Sequence, residues 1–129
     1  MSLSLKVGQW VKDATEDMAK IHKAIVIELF TSVILDTPVL EGRLRGNWVI
    51  SSSAPETGTF DVIDPSGETT TRKVEDFVSN LSDLENFNVF LANNLPYAYR
   101  IEFEGHSGKA PQGMVRKNFI RITNNLSNA

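Results

Sequence analysis

The sequence predicts an α+β domain, and three observations predict it. Apolar residues recur at spacings of three and four across residues 7–35 and 114–126, the signature of helices with one buried face. Residues 43–63 and 88–94 instead alternate apolar and polar side chains, the two-residue period of strands. No internal repeat or low-complexity tract interrupts the 129 residues, a length suited to one domain spanning 1–129. At this size about two-thirds of the unfolded surface is buried on folding. The expected arrangement is a long N-terminal helix packed on a small, mostly antiparallel sheet, with a central and a C-terminal helix.

The first helix, 7–35, has a stripe of Val7, Val11, Ala14, Met18, Ile21, Ile25 and Leu29, then Ser32 or Val33. Lys12, Asp13, Glu16, Asp17, Lys20 and Lys23 fall largely on other faces. Its second half, AIVIELFTSVIL, is apolar on more than one side, which predicts deep burial in its own core or against a neighbouring subunit. Pro38 stops it, and residues 37–42 form a connection. Arg43–Ser52 reads as a strand with Trp48 and Ile50 on one face and Asn47, Val49 and Ser51 on the other. Trp48 is expected in the core against the long helix.

A polar turn with Pro55 follows, then a short strand through Thr59, Phe60, Val62 and Ile63, ended by the Asp64–Gly67 turn. Residues 70–84 return to helical spacing through Val74, Phe77, Val78, Leu81 and Leu84. Residues 88–94 form a strand, and 95–113 a turn and loop in which YAYRIEFE is either a helical turn or extended. The closing helix, 114–126, has a stripe of Val115, Phe119, Ile122 and Leu126. The Ser- and Thr-rich stretches 51–59 and 69–71 flank loops that would order against a partner.

Composition excludes several classes. The formal charge of −3 gives no basic field to attract nucleic acid. Charge is nonetheless segregated: residues 51–90 carry eight acids against two bases, and residues 105–129 carry four bases and no acid. On different faces, these regions would let identical copies meet through unlike charges. Cysteine is absent, which removes disulfides and thiolate chemistry. No apolar run of membrane-spanning length occurs, and MSLSLKVGQW does not read as a secretory signal, so synthesis in the cytoplasm is expected.

No catalytic, cofactor or metal site is expected. Glu102 and Glu104 beside His106 are the one candidate acid–base group, without the cleft geometry a glycosidase needs. The other histidine, His22, is remote, so a metal lacks ligands. Gly105, Gly108 and Gly113 with Lys109 lack the order of a phosphate-binding loop, and no nucleophile elbow is present. The remaining candidates suit contact between proteins. Arg43 and Arg45, two apart in an extended segment, share a face able to bridge an acidic neighbour or line a DNA-passing lumen. Trp10 suits core or interface, and Tyr97 and Tyr99 flank Ala98 in a rigid turn entered through Asn93, Asn94 and Pro96. Arg116 and Arg121 supply paired-contact chemistry on the last helix.

Three motifs occur in a telling order. Gly42-Arg43-Leu44-Arg45-Gly46-Asn47-Trp48 follows the long helix and its Thr-Pro connection. Asn93-Asn94-Leu95-Pro96-Tyr97-Ala98 closes the later strand, and Ala110-Pro111-Gln112-Gly113-Met114-Val115-Arg116 opens the last helix. In this set the chain resembles the tail-completion, or head–tail joining, proteins of long-tailed bacteriophages, over most of residues 5–126. One departure is Glu102-Phe103-Glu104-Gly105, where the family pattern is Glu-aromatic-Gly. The resemblance implies a structural virion protein without a cofactor, forming a six-fold ring in the neck. Its neighbours would be a head-completion or connector protein and a tail-terminator or tail-tube protein, with DNA only as passing cargo. The alternatives are a tail-terminator ring, a small nucleic-acid-binding module using Arg43, Arg45 and the last helix, and a hydrolase using Glu102, Glu104 and His106. Trp10, Arg43, Arg45, Tyr97, Tyr99, Glu102, Glu104, Arg116 and Arg121 are the candidate subunit or partner contacts.

Overall fold

A computed structural model describes residues 3–81, 88–104, 108, 110 and 112–127, with side chains from Met18 onward. The element order is α1 (Leu3–Asp36), α2 (Arg43–Gly46), β1 (Val49–Ser52), α3 (Glu68–Ser79), β2 (Val89–Ala92), α4 (Pro96–Phe103) and α5 (Val115–Ser127). The class is α+β, as the periodicities predict, with β1 and β2 forming a two-stranded antiparallel sheet. Val49 lies opposite Ala92 and Ser52 opposite Val89. No helix among the described residues is long and apolar enough to cross a membrane.

The second half of α1 is the spine of the core. It lies between α3 and α5. Val33 and Ile34 are fully buried beside Leu44, Trp48, Val74, Val78, Ala98, Ile101, Ala110 and Met114. The sheet joins through Ile50 and Leu91, which pack against the same cluster. The expectation that AIVIELFTSVIL is buried on more than one side holds, because α3 and α5 contact different faces. Lys23 Nζ donates to the carbonyl of Leu81 just beyond α3, whereas Glu28, Ser32 and Asp36 face α5. Trp48 is buried as expected, and its indole Nε1 donates to the buried Thr37 hydroxyl at 2.8 Å.

Four expectations need correction. Arg43–Gly46 is a helical turn, so the strand begins only at Val49. Gly42 starts that turn at φ +99°, and the Asn47 amide donates back to the Arg43 carbonyl at 2.8 Å, closing it. Residues 59–63 form no helix and join no sheet. Side-chain amides replace a strand partner: Asn47 both accepts from the Phe60 N–H and donates to the Phe60 carbonyl, and Asn94 donates to the carbonyls of Glu56 and Gly58. The strap presses so closely on α2 that a Cβ on Gly46 would lie 2.4 Å from the Val62 carbonyl oxygen.

The central helix runs Glu68–Ser79 rather than 70–84. Buried Asp64 receives the N–H and hydroxyl of Thr70 at 2.8 and 2.7 Å and anchors the first turn. Leu81 lies past the helix end, and Leu84 lies outside the described residues. Within 95–113, residues Pro96–Phe103 form α4, which resolves YAYRIEFE as helix, with Pro96 at the first-turn position that tolerates it.

The fourth correction concerns α5. Its inward residues are Asn118 and Ile122, following Met114, whereas Val115, Phe119 and Leu126 are exposed. A polar residue takes the inward position because the Asn118 amide donates to Asp36 at 2.9 Å and to the Met114 carbonyl at 2.7 Å. The stripe read from hydrophobicity therefore mixed one inward residue with three outward ones.

Candidate interaction site

The densest polar construction lies where α4 meets α5. Gly113 turns the chain at φ +85° and packs so tightly that a Cβ there would sit 2.7 Å from Glu102 Oε2. Three successive N–H groups then point at the Glu102 carboxylate: Met114 at 2.5 Å and Val115 at 2.9 Å to Oε2, and Arg116 at 2.9 Å to Oε1. A helix begins with unpaired N–H groups and a partial positive charge, and a carboxylate satisfies both. Arg116 closes the site by donating Nε to Oε1 at 3.1 Å and Nη2 to the Glu102 carbonyl.

Burial of Glu102 works to raise its carboxyl pKa. The backbone donors of Met114, Val115 and Arg116, with the Arg116 side chain, outweigh that and hold it below the ordinary value. The group is thus an ionised acceptor at neutral pH with its oxygens occupied, which suits it to capping and not to donating a proton. The sequence placed Glu102 among surface contacts; the structure buries it. Glu104 is exposed at the end of α4, and His106 lies outside the described residues.

Outside this cap lies an aromatic and cationic surface. Tyr99 and Phe103, one helical turn apart, have ring centroids 4.9 Å apart. The Arg116 guanidinium carbon sits 4.8 Å from the Phe103 centroid, within cation–π range. Tyr99, Phe103, Val115, Phe119 and Ile120 are all exposed, so α4 and α5 present apolar side chains to solvent beside a buried ionic cap. Tyr97 lines a separate open groove of about 530 Å³ with Pro38, Leu40, Leu44 and Ile101. Leu40, at its rim, is completely exposed.

The two arginines read as sharing a strand face do not share one. On the helical turn α2 they diverge. Arg43 pairs with Asp61 at 2.9 Å and with Glu41 at 3.3 Å on the surface. Arg45 turns back on the end of α1, donating to the carbonyls of Thr37, Leu35 and Pro65 at 2.9, 2.6 and 2.7 Å. It is a C-terminal cap for α1 and a tie to the Asp64–Gly67 turn. Arg121 pairs with Glu28 at 3.2 Å and Ser32 at 3.0 Å on α1 of the same chain. The backbone of Trp10 lies in α1, and its side chain lies outside those described.

Asn93 and Asn94, expected to hold a local turn, and Asn47, expected on a strand face, are amide clamps between distant segments. Asn93 donates to the Leu44 carbonyl at 2.8 Å, joining the end of β2 to α2. With Asn47 and Asn94 it stitches three loops together. Their signal was present in the Gly-Asn-Trp and Asn-Asn-x-Pro sequences, where amides precede a turn. Among the described residues, no group of three histidine or acidic side chains is placed to hold a metal. No family model matches the chain, and no curated protein or solved structure matches it.

Proposed function

We propose that this protein is a non-enzymatic structural component of a phage neck, forming a ring that completes the tail or joins it to the DNA-filled head. The observation that carries the reading is the convergence of the three motifs behind the family resemblance. Asn93 of the second motif bonds the Leu44 carbonyl of the first. Leu44 and Trp48, Ala98, and Ala110 and Met114, drawn from the three motifs in turn, share one core. Residues about 70 positions apart in the sequence thus act as a unit, as a shared family scaffold would require. The exposed apolar side chains on α1, α4 and α5 supply the surface that assembly needs.

In this role the protein contacts further copies of itself in a six-fold ring. It also contacts a head-completion or connector protein on one side and a tail-terminator or tail-tube protein on the other, with DNA only passing through. Its location is the head–tail junction of the virion. The test is electron microscopy of particles from a phage carrying an amber stop in this gene, grown in a non-suppressing host. Separate filled heads and finished tails are expected; normally joined particles would overturn the proposal.

A further inference from the structure

The apolar stripe of α1 is longer than the fold needs. Val7, Val11, Ala14, Met18, Ile21 and Ile25 follow one another at steps of four, three, four, three and four. That alternation is the heptad repeat of a helix packed along another helix. At 100° per residue, its continuation passes Glu28, Ser32 and Asp36, the residues that α5 holds through Arg121 and Asn118. Within the chain, α5 therefore covers the C-terminal end of this face. Before it, among the side chains described, Met18 is 70% and Ile21 58% exposed. The backbone is helical from Leu3, so the stretch before Lys23 spans roughly 30 Å.

We infer that this stripe is a seam for α1 of a second copy of the chain, the two helices running parallel. The repeat is self-complementary: in a parallel pair each seam position meets its own equivalent. The flanking positions agree. Asp17 precedes the Met18 seam position and His22 follows Ile21. These are the places that face each other across parallel helices, a carboxylate on one copy opposite an imidazole able to donate to it on the other. A lone helix of this length is marginal in water and gains its stability by packing an apolar face. The inference stands apart from the ring reading: a parallel pair of this kind closes on two copies, and a six-fold ring needs a further, head-to-tail contact between copies.

The chain has no cysteine, so a single introduced thiol cross-links only between copies. Under mild oxidation Met18→Cys should give disulfide-linked dimers, whereas Lys20→Cys, on the far side of the helix, should not. The full-length double variant Met18→Asp/Ile21→Asp should sediment as a monomer, its self-association weakened by roughly a hundredfold or more, while its near-ultraviolet circular dichroism still shows a folded core. Three results would overturn the inference: a wild-type chain that remains monomeric at high concentration, a double variant with wild-type mass, or cross-linking at position 20 as efficient as at 18. None of these bears on the particles made by the amber phage, so the neck reading fails or survives separately.

Discussion

The two ends of α1 both carry apolar residues at helical spacing and have opposite fates. At the C-terminal end, Val33 and Ile34 vanish into a core shared with α2, α3 and α4, and Arg45 caps the last carbonyls. Toward the other end, Met18 and Ile21 stand in solvent. The C-terminal half is apolar on more than one side and meets α3 and α5 of its own chain, whereas the stripe through Met18 and Ile21 is single-sided. Where the chain brings its own partner, polar groups gather around the apolar contact, with Trp48 on Thr37, Asn118 on Asp36 and Glu102 on the start of α5. Where it does not, the apolar side chains stand in solvent.

This contrast can be broken most severely at Trp48. Trp48→Ala empties a buried site and orphans the Thr37 hydroxyl contact, and should cost about 4 kcal/mol in chemical denaturation. Next comes the cap of α5. Glu102→Gln keeps the shape but removes the charge that three N–H groups and Arg116 address, for an expected loss of about 2 kcal/mol. A similar loss of about 2 kcal/mol is expected for Arg45→Met, which leaves the carbonyls of Leu35, Thr37 and Pro65 without their donor.

The dependence on pH sharpens the same point. Burial works to raise the pKa of both Glu102 and Asp64, and hydrogen bonds reverse it, leaving each below its ordinary value of 4.5 and 3.8 respectively. Carboxyls lowered by folding give stability that is complete above their unfolded pKa and is lost as pH falls through the folded one. The melting temperature should therefore be flat from neutral pH down to about 5 and decline below it, and Glu102→Gln should blunt that decline. The smallest effect belongs to the open end. Met18→Ala should change folding stability by less than about 0.5 kcal/mol, because the side chain touches little of its own chain.

Much of this fold was legible from residue spacing. The long helix, the central helix around Val74 and Val78, the paired strands and the buried Trp48 all follow from apolar periodicity and turn residues. The misreadings share a physical cause: a polar side chain took over a role that hydrophobicity would assign elsewhere. Asn47 and Asn94 hold residues 56–60 in place without a sheet. Asn118 occupies the inward face of α5, displacing Phe119 outward. Of the candidate site, Tyr99 and Tyr97 lie at the surface as a contact role requires, whereas Glu102 and Arg45 are committed inside. An acid or an arginine looks the same in a sequence whether it meets a partner or a helix end. The distinction depends on where the nearest unpaired N–H or carbonyl lies, and that is set by the fold.

The most direct test of the account is complementation of a lysate from the amber phage with purified protein. Wild-type protein should restore joined, infectious particles, and Met18→Asp/Ile21→Asp protein, folded but with its seam charged, should not. Full restoration by the double variant would contradict the assignment of the open end of α1 to assembly.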